Sequence, residues 1–274
     1  MCQGTKTRRI YRMGRIIAVA NQKGGVGKTT TSINLAACLA EKGKKVLAVD
    51  MDPQGNLTSG LGIDKNRLDK TIYQAMCDQI NLGECIITNP FERKMDLSIA
   101  PANRDLAGAE VELMIDAEDP QHILKKLLKG VKKQFDYIII DCPPALGLLT
   151  INSMTAADTV LVPIQCEFFA LDGLSQLIHT INLIRKKLNR SLEIEGVVFT
   201  MYDARTNLSQ DVVNNVKNNL DQFIYKTVIP RNVRLAEAPS FGLPINLYDS
   251  RSSGAEGYRK LADEVIGNKL YAGL

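Results

Sequence analysis

The chain has 274 residues and is 45% hydrophobic, which excludes a disordered polymer and suffices for one large, well-covered core. Its formal net charge is only +4, so any contact with nucleic acid must be a local patch rather than a property of the whole molecule. Six cysteines at 2, 38, 77, 85, 142 and 166 show no Cys-x-x-Cys spacing, and the only histidines are His122 and His179, so no zinc centre is expected and a reducing, cytosolic compartment fits.

Residues 1–15 carry Lys6, Arg8, Arg9, Arg12 and Arg15 and no acid. No apolar core follows them, so they are not a secretory signal. Met13 reads as a second start, and residues 1–14 as a basic N-terminal extension whose alternative use is weak contact with DNA phosphates. An apolar strand over 16–20 then runs into Gln22-Lys23-Gly24-Gly25-Val26-Gly27-Lys28-Thr29-Thr30, and a helix is predicted over 29–42. Further strands are predicted at 46–49, 97–100, 137–140, 159–163, 195–200 and 226–229. Helices alternate with them near 103–115, 120–133, 148–157, 171–189, 207–220 and 255–268. Strands that are apolar throughout, separated by helices, predict an α/β fold: a mostly parallel twisted sheet with helices on both faces. Ligands of such sheets gather at the carboxyl ends of the strands. No apolar stretch approaches a membrane span, and no repeat or linker divides the chain, so residues 15–274 are expected to form a single domain. Cys38, inside a helix, and Cys142, after a buried strand, read as small core residues.

Four segments fall on the carboxyl edge. In the first, glycines 24, 25 and 27 let backbone N–H groups approach phosphate oxygens without a Cβ in the way, and the following helix adds the positive end of its dipole. Lys28 can reach the β- and γ-phosphates of a nucleotide, and Thr29 can offer a hydroxyl to Mg²⁺. The loop departs from the ordinary P-loop pattern: position 22 is Gln instead of Gly, and a second lysine, Lys23, precedes the glycines. The second segment is Asp50-Met51-Asp52-Pro53-Gln54-Gly55-Asn56, two aspartates followed by a rigid turn. In the third, Tyr137–Asp141, an apolar run ends in an acid suited to holding Mg²⁺ through a bound water. The next residue is Cys142, not a Glu that could act as a base, so slow intrinsic turnover is expected. The fourth runs from Val228 through Pro230, Asn232 and Arg234 to Pro239, where Pro230 leaves a strand.

Segments 21–31, 50–60, 141–144, 163–171 and 230–239 together resemble the ParA/Soj-type partition ATPases of the deviant Walker A superfamily, which includes MinD, and the likeness spans nearly the whole chain from Arg15. The resemblance implies ATP and Mg²⁺ as cofactors, with Gly24, Gly25, Val26, Gly27, Lys28, Thr29 and Thr30 around the phosphates. It implies that Lys23 reaches across a homodimer to the other subunit's phosphates, that Asp52 orients the attacking water, and that Pro230 and Asn232 lie at the adenine. It also implies that Arg205 and Arg234 face non-specific double-stranded DNA, although each by itself is one arginine in a polar loop, for which a solvated or salt-bridged role is ordinary. Lys217 and Lys226 are further candidates for widening that patch. A ParB-type centromere-binding partner would stimulate hydrolysis and release the dimer, and the protein would be cytoplasmic and nucleoid-associated, without membrane contact. With no long N-terminal helix-turn-helix segment among these residues, the resemblance is expected to be to the short Soj-type subgroup and not to the autorepressor subclass.

Two rivals share parts of this pattern. A MinD-like membrane-positioning ATPase needs a basic amphipathic helix at the C-terminus, whereas residues 258–274 carry acids and glycines and read as a docked closing helix. An iron–sulfur protein of the nitrogenase iron-protein kind needs interface cysteines, and the surroundings of Cys142 and Cys166 do not match. A reading in which hydrolysis only times a nucleotide-gated DNA-binding module is compatible with the main one.

Overall fold

The computed structural model describes residues 14–268 apart from positions 79, 92–94, 168–169 and 221–222, so the basic extension lies outside the described residues except for Gly14. The strands are β1 (Arg15–Val19), β2 (Val46–Asp50), β3 (Ile87–Thr88), β4 (Leu97–Ala100), β5 (Tyr137–Asp141), β6 (Thr159–Gln165), β7 (Glu193–Tyr202) and β8 (Ile224–Pro230). They form one sheet in the order β3-β4-β2-β5-β1-β6-β7-β8, parallel except for the β3–β4 pair at one edge. The helices are α1 (Lys28–Glu41), α2 (Asn56–Gly60), α3 (Ile72–Cys77), α4 (Leu106–Asp116), α5 (Ile123–Val131), α6 (Leu148–Ala156), α7 (Ala170–Lys187), α8 (Asn207–Asn219), α9 (Val233–Glu237), α10 (Ile245–Tyr248) and α11 (Ser253–Gly267).

Alternation along the strands divides the core in two, as a pleated sheet buried on both faces requires. Ile17, Val19, Ala48 and Ile139 pack with α1, α2, α10 and α11 on one face. Ile16, Ala18, Leu47, Val49, Ile138 and Ile140 pack with α3 to α8 on the other. The seven predicted strands and seven predicted helices all appear, β4 with the predicted ends and the others with ends shifted. Strand β7 extends beyond the predicted 195–200 at both ends. The helix predicted over 120–133 opens as a 3₁₀ turn at Pro120–His122 before α5. The short elements β3, α2, α3, α9 and α10 escape the periodicity reading: the four helices span at most six residues, under two turns, and β3 only two. One of them did carry a local signal: Thr71 and Gln74 form a reciprocal capping box that starts α3.

At the amino ends of the strands, the buried Glu195 carboxylate is surrounded by donors. Arg15 forms an ion pair with it, Thr159 Oγ1 donates at 2.7 Å, Tyr225 OH at 2.8 Å and Asn268 Nδ2 at 3.1 Å. This network ties β1, β6, β7, β8 and the end of the closing helix together. At the carboxyl ends, register lines up Val19 of β1, Asp141 of β5 and Asp50 of β2 side by side.

Candidate functional site

The loop after β1 is held open by side chains that the motif itself does not include. Asn21 Nδ2 donates to the Pro163 carbonyl at 2.8 Å, and its Oδ1 accepts from the Lys23 N–H at 3.0 Å. Thr200 Oγ1 on β7 donates to the Val26 carbonyl at 2.8 Å. Gly25 and Gly27 adopt φ of 75° and 87°, a left-handed region where a side chain is strained. Helix α1 starts at Gly27 with no side-chain cap, so its first N–H groups face the loop and suit a phosphate. Val26 and Lys28 are buried, Thr29 and Thr30 half-buried, and Lys23, Gly24 and Gly25 exposed.

Both lysines are engaged within the same chain. Lys28 Nζ donates to the Lys23 carbonyl at 3.0 Å. Burial pushes its pKa down, against the opposing pull of the carboxyls of Asp141 and Asp52. Lys23 forms an ion pair with Glu167, beyond the end of β6.

Three aspartates stand around this loop. Asp50 is fully buried and accepts from the Thr58 N–H (2.8 Å), the Thr58 hydroxyl (2.6 Å) and the Asp52 N–H (3.2 Å). Thr58 Oγ1 in turn accepts from the Ala102 N–H at 2.9 Å, so Asp50 ties the 51–55 loop to α2 and β4. Asp52 is buried, and its Oδ1 accepts from the Gln54 N–H at 2.9 Å. Asp141 accepts from Ser32 Oγ at 2.8 Å, and the Thr29 hydroxyl also lowers its pKa. Desolvation by burial, reinforced by Asp50, outweighs both and holds the Asp141 carboxyl well above the ordinary carboxylate range. Its Oδ2 is buried with no hydrogen-bond partner. A buried acceptor in that state fits a cation or a cation-bound water. Among the described residues no group of three or more His, Cys, Asp or Glu could hold a metal by itself. Mg²⁺ sites commonly use one or two carboxylates together with phosphate oxygens.

The predicted adenine and DNA residues sit at one corner of the same edge. Tyr202 of β7 registers with Pro230 of β8, and the Arg231 N–H donates to the Tyr202 carbonyl at 2.9 Å. Asn232 caps α9 by accepting from the Arg234 N–H at 2.8 Å, and its Nδ2 donates to Ser253 Oγ at 2.8 Å. Arg205 makes two hydrogen bonds to the Asp203 carboxylate, at 2.9 and 2.7 Å, which hold that acid at about 2. Arg234 pairs with Glu237 at 2.9 Å and Asp249 at 3.7 Å. Both guanidiniums are exposed and already carry acidic neighbours, the ordinary state of a surface arginine. Lys217 and Lys226 are exposed on α8 and β8.

A family profile described as an AAA domain matches residues 14–194. The sporulation initiation inhibitor protein Soj of Bacillus subtilis is 56% identical over 256 residues, covering 93% of this chain and all of that one. The chromosome partitioning protein ParA of Myxococcus xanthus is 50% identical, covering 93% of this chain and 88% of its own length. The chain belongs to the Soj/ParA family of chromosome-partitioning proteins. A solved structure titled cobyrinic acid a,c-diamide synthase from Mycobacterium smegmatis, with bound ADP and magnesium, superimposes with a TM-score of 0.82 at 37% identity, covering 95% of this chain and 96% of that one. The P-loop fold is thus shared with a protein carrying a different name, while the partitioning relatives have the higher identity.

Within this family the structure gives contacts to four residues to which the motifs assigned no role: Asp50, Ser32, Glu167 and Thr200. Asp50 was legible as half of an Asp-x-Asp pair, but only its burial separates its anchoring contacts from the position of Asp52. Ser32 sits one turn beyond Lys28 on α1 and Glu167 within the 163–171 segment, but their partners Asp141 and Lys23, like the Val26 partner of Thr200, are distant in sequence, and no local pattern marks those contacts. The rivals also meet specific observations. Helix α11 buries Tyr258, Leu261, Ala262 and Val265 in the core, so its apolar side is occupied within the fold, and no described helix is long and apolar enough to cross a membrane. Cys142 and Cys166 are buried, and burial pushes both thiols up, Cys142 to about 12 and Cys166 to about 11.

Proposed function

We propose that this chain is an ATP- and Mg²⁺-dependent DNA-partitioning ATPase. In this reading it dimerises on ATP, binds double-stranded DNA without sequence preference, and is released when a basic peptide of a ParB-type partner stimulates hydrolysis. One observation carries the reading: two lysines on one glycine loop, with Lys28 buried among Asp52, Asp141 and an uncapped helix start. Names and titles of relatives that specify chromosome partitioning, ADP and magnesium support it. Residues 15–274 act as one P-loop ATPase domain, and residues 1–12, ahead of the second start at Met13, are dispensable for it.

Residues 24–30 take the phosphates, with Lys28 exchanging its bond to the Lys23 carbonyl for phosphate oxygens. Thr29 and Asp141 hold Mg²⁺, Asp141 through water, and the ion supplies charge neutralisation at the β- and γ-phosphates. Lys23 leaves Glu167 and contacts the nucleotide of the other subunit. Asp52 orients the attacking water; with Cys142 where a base could stand, intrinsic turnover is slow. Pro230 and Asn232 border the adenine. Arg205 and Arg234 exchange their acidic neighbours for DNA phosphates.

The test is Asp52→Ala. Loss of water orientation without loss of nucleotide grip should leave ATP binding, a persistent dimer in size-exclusion chromatography and retention on plasmid DNA, with phosphate release near background and no response to partner. Hydrolysis by Asp52→Ala at the stimulated wild-type rate would move the water-positioning role to another residue.

A further inference from the structure

Helix α4 has a face that nothing in the described fold covers. Leu106, Ala109 and Leu113 turn inward, while Val111, Met114 and Ile115 stand out at 62, 67 and 76% exposure, continuing the turn from the exposed Ala107. Spacings of three and four residues make these one contiguous stripe on the helix. Large apolar side chains grouped in this way mark interaction sites, whereas scattered ones do not. On the flank of α4 that carries Glu112 and Asp116, between α3, α4 and α5, lies a cleft of about 680 Å³ lined by Met76, Leu113 and Leu127 among others. Glu112, Asp116, Glu118 and Asp119 also line it.

Charge decides what fits here. Residues 105–119 contain six acids and no lysine or arginine, in a chain whose net charge is positive. Lys126 is already paired with Asp119. A second copy of this face would set acid against acid, whereas a basic segment carrying aliphatic side chains would satisfy both stripe and acids.

The same helix reaches the ATPase edge. Glu110 Oε1 accepts from the Leu149 N–H at 3.1 Å in the first turn of α6, and Gly147 packs so closely on Glu110 that a Cβ there would collide with it. The loop that α6 follows begins immediately after Asp141, and its Pro144, Ala145 and Leu146 are exposed. Glu110 thus joins α4 to the start of α6, directly after the loop that follows Asp141.

We propose that the outward face of α4 and its acid-lined cleft form the docking surface for a lysine- and arginine-bearing, aliphatic segment of the partner that stimulates hydrolysis. This rests on the partner-stimulated reading above, in which a basic peptide of the partner stimulates hydrolysis, and adds to it the surface that receives that segment.

The experiment uses the full chain, ATP, plasmid DNA and a purified ParB-type partner. Val111→Ser/Met114→Ser/Ile115→Ser should keep ATP-dependent dimerisation and basal hydrolysis, while the partner concentration for half-maximal stimulation rises roughly tenfold or more. Asp116→Lys/Glu118→Lys, two exposed positions, should do the same without touching the apolar stripe, which guards against misfolding of the triple variant. Benzoylphenylalanine at Met114 should crosslink to a basic segment of the partner. Wild-type stimulation of both variants overturns the proposal. Loss of dimerisation in place of stimulation assigns the face to a second copy, and a crosslink to residues 1–13 assigns it to this chain's own extension; either overturns it. If the partner fails to stimulate the wild type at all, the partner-stimulated reading fails first, which the wild-type control shows without reference to α4.

Discussion

The two edges of the sheet both bury charge, and they do so differently. At the amino edge Glu195 has an ion pair and three hydrogen bonds from Thr159, Tyr225 and Asn268. At the carboxyl edge Asp141 keeps an oxygen without a partner beside a second buried carboxyl, and Lys28 is tied only to a backbone carbonyl through its ammonium. A buried charge that is fully bonded fastens strands together; one left short of partners is poised for a ligand that completes it. Burial alone therefore does not separate the two edges: Glu195 and Asp141 are equally buried, and what differs is the set of partners each carboxyl has.

The comparison breaks first under substitution of its central members. Glu195→Ala leaves Arg15 and Tyr225 without their buried acceptor and should lower the unfolding free energy by about 3–5 kcal/mol in urea titration, with the nucleotide affinity of the folded fraction unchanged. Lys28→Ala should do the reverse: no productive ATP binding by calorimetry, and an unfolding midpoint no lower than wild type, since it removes a desolvated ammonium. Asp141→Asn should likewise hold or raise the midpoint without nucleotide, because burial and Asp50 disfavour the charged carboxyl, while Mg²⁺-dependent binding weakens. A sharp loss of stability in either of the last two would mean that the carboxyl edge is as closed as the amino edge.

Smaller effects sharpen the picture around the loop. Lys23→Ala should retain nucleotide yet lose the ATP-dependent dimer in light scattering; normal dimerisation would rule out a role across the interface. Glu167→Gln releases an exposed ion pair worth about 0.2–1 kcal/mol, so the dimer should form at roughly one- to fivefold lower protein concentration. Dimerisation weakened by that change would instead make Glu167 part of the interface. Least in magnitude, Arg205→Ala and Arg234→Ala should each weaken binding to any duplex alike and flatten the plot of log affinity against log salt by about one unit, with the dimer intact. Their present bonds to Asp203, Glu237 and Asp249 predict that DNA must compete with those acids, so a mutant with unaltered salt dependence would show that the arginines stay with them.

The alternation of apolar strands with amphipathic helices was enough to set the α/β layering, and the strand–glycine loop–helix order placed Lys23, Lys28 and Thr29 at one sheet edge. Those features are local: the period of side chains along a strand or helix, and the freedom of glycine in a tight loop, act over a few residues and so are written in sequence. The reach of Glu167 to Lys23, of Thr200 to Val26, of Ser32 to Asp141 and of Glu110 to Leu149 is not, because each contact joins segments whose proximity comes from strand order and register. Nor could composition tell that Asp50 is buried and fully bonded while Asp141 retains an open oxygen. Both end apolar strands with the same pattern, and the difference arises from which neighbours the folded sheet brings alongside them: Thr58 and the Asp52 N–H for Asp50, Ser32 and the edge of the phosphate loop for Asp141.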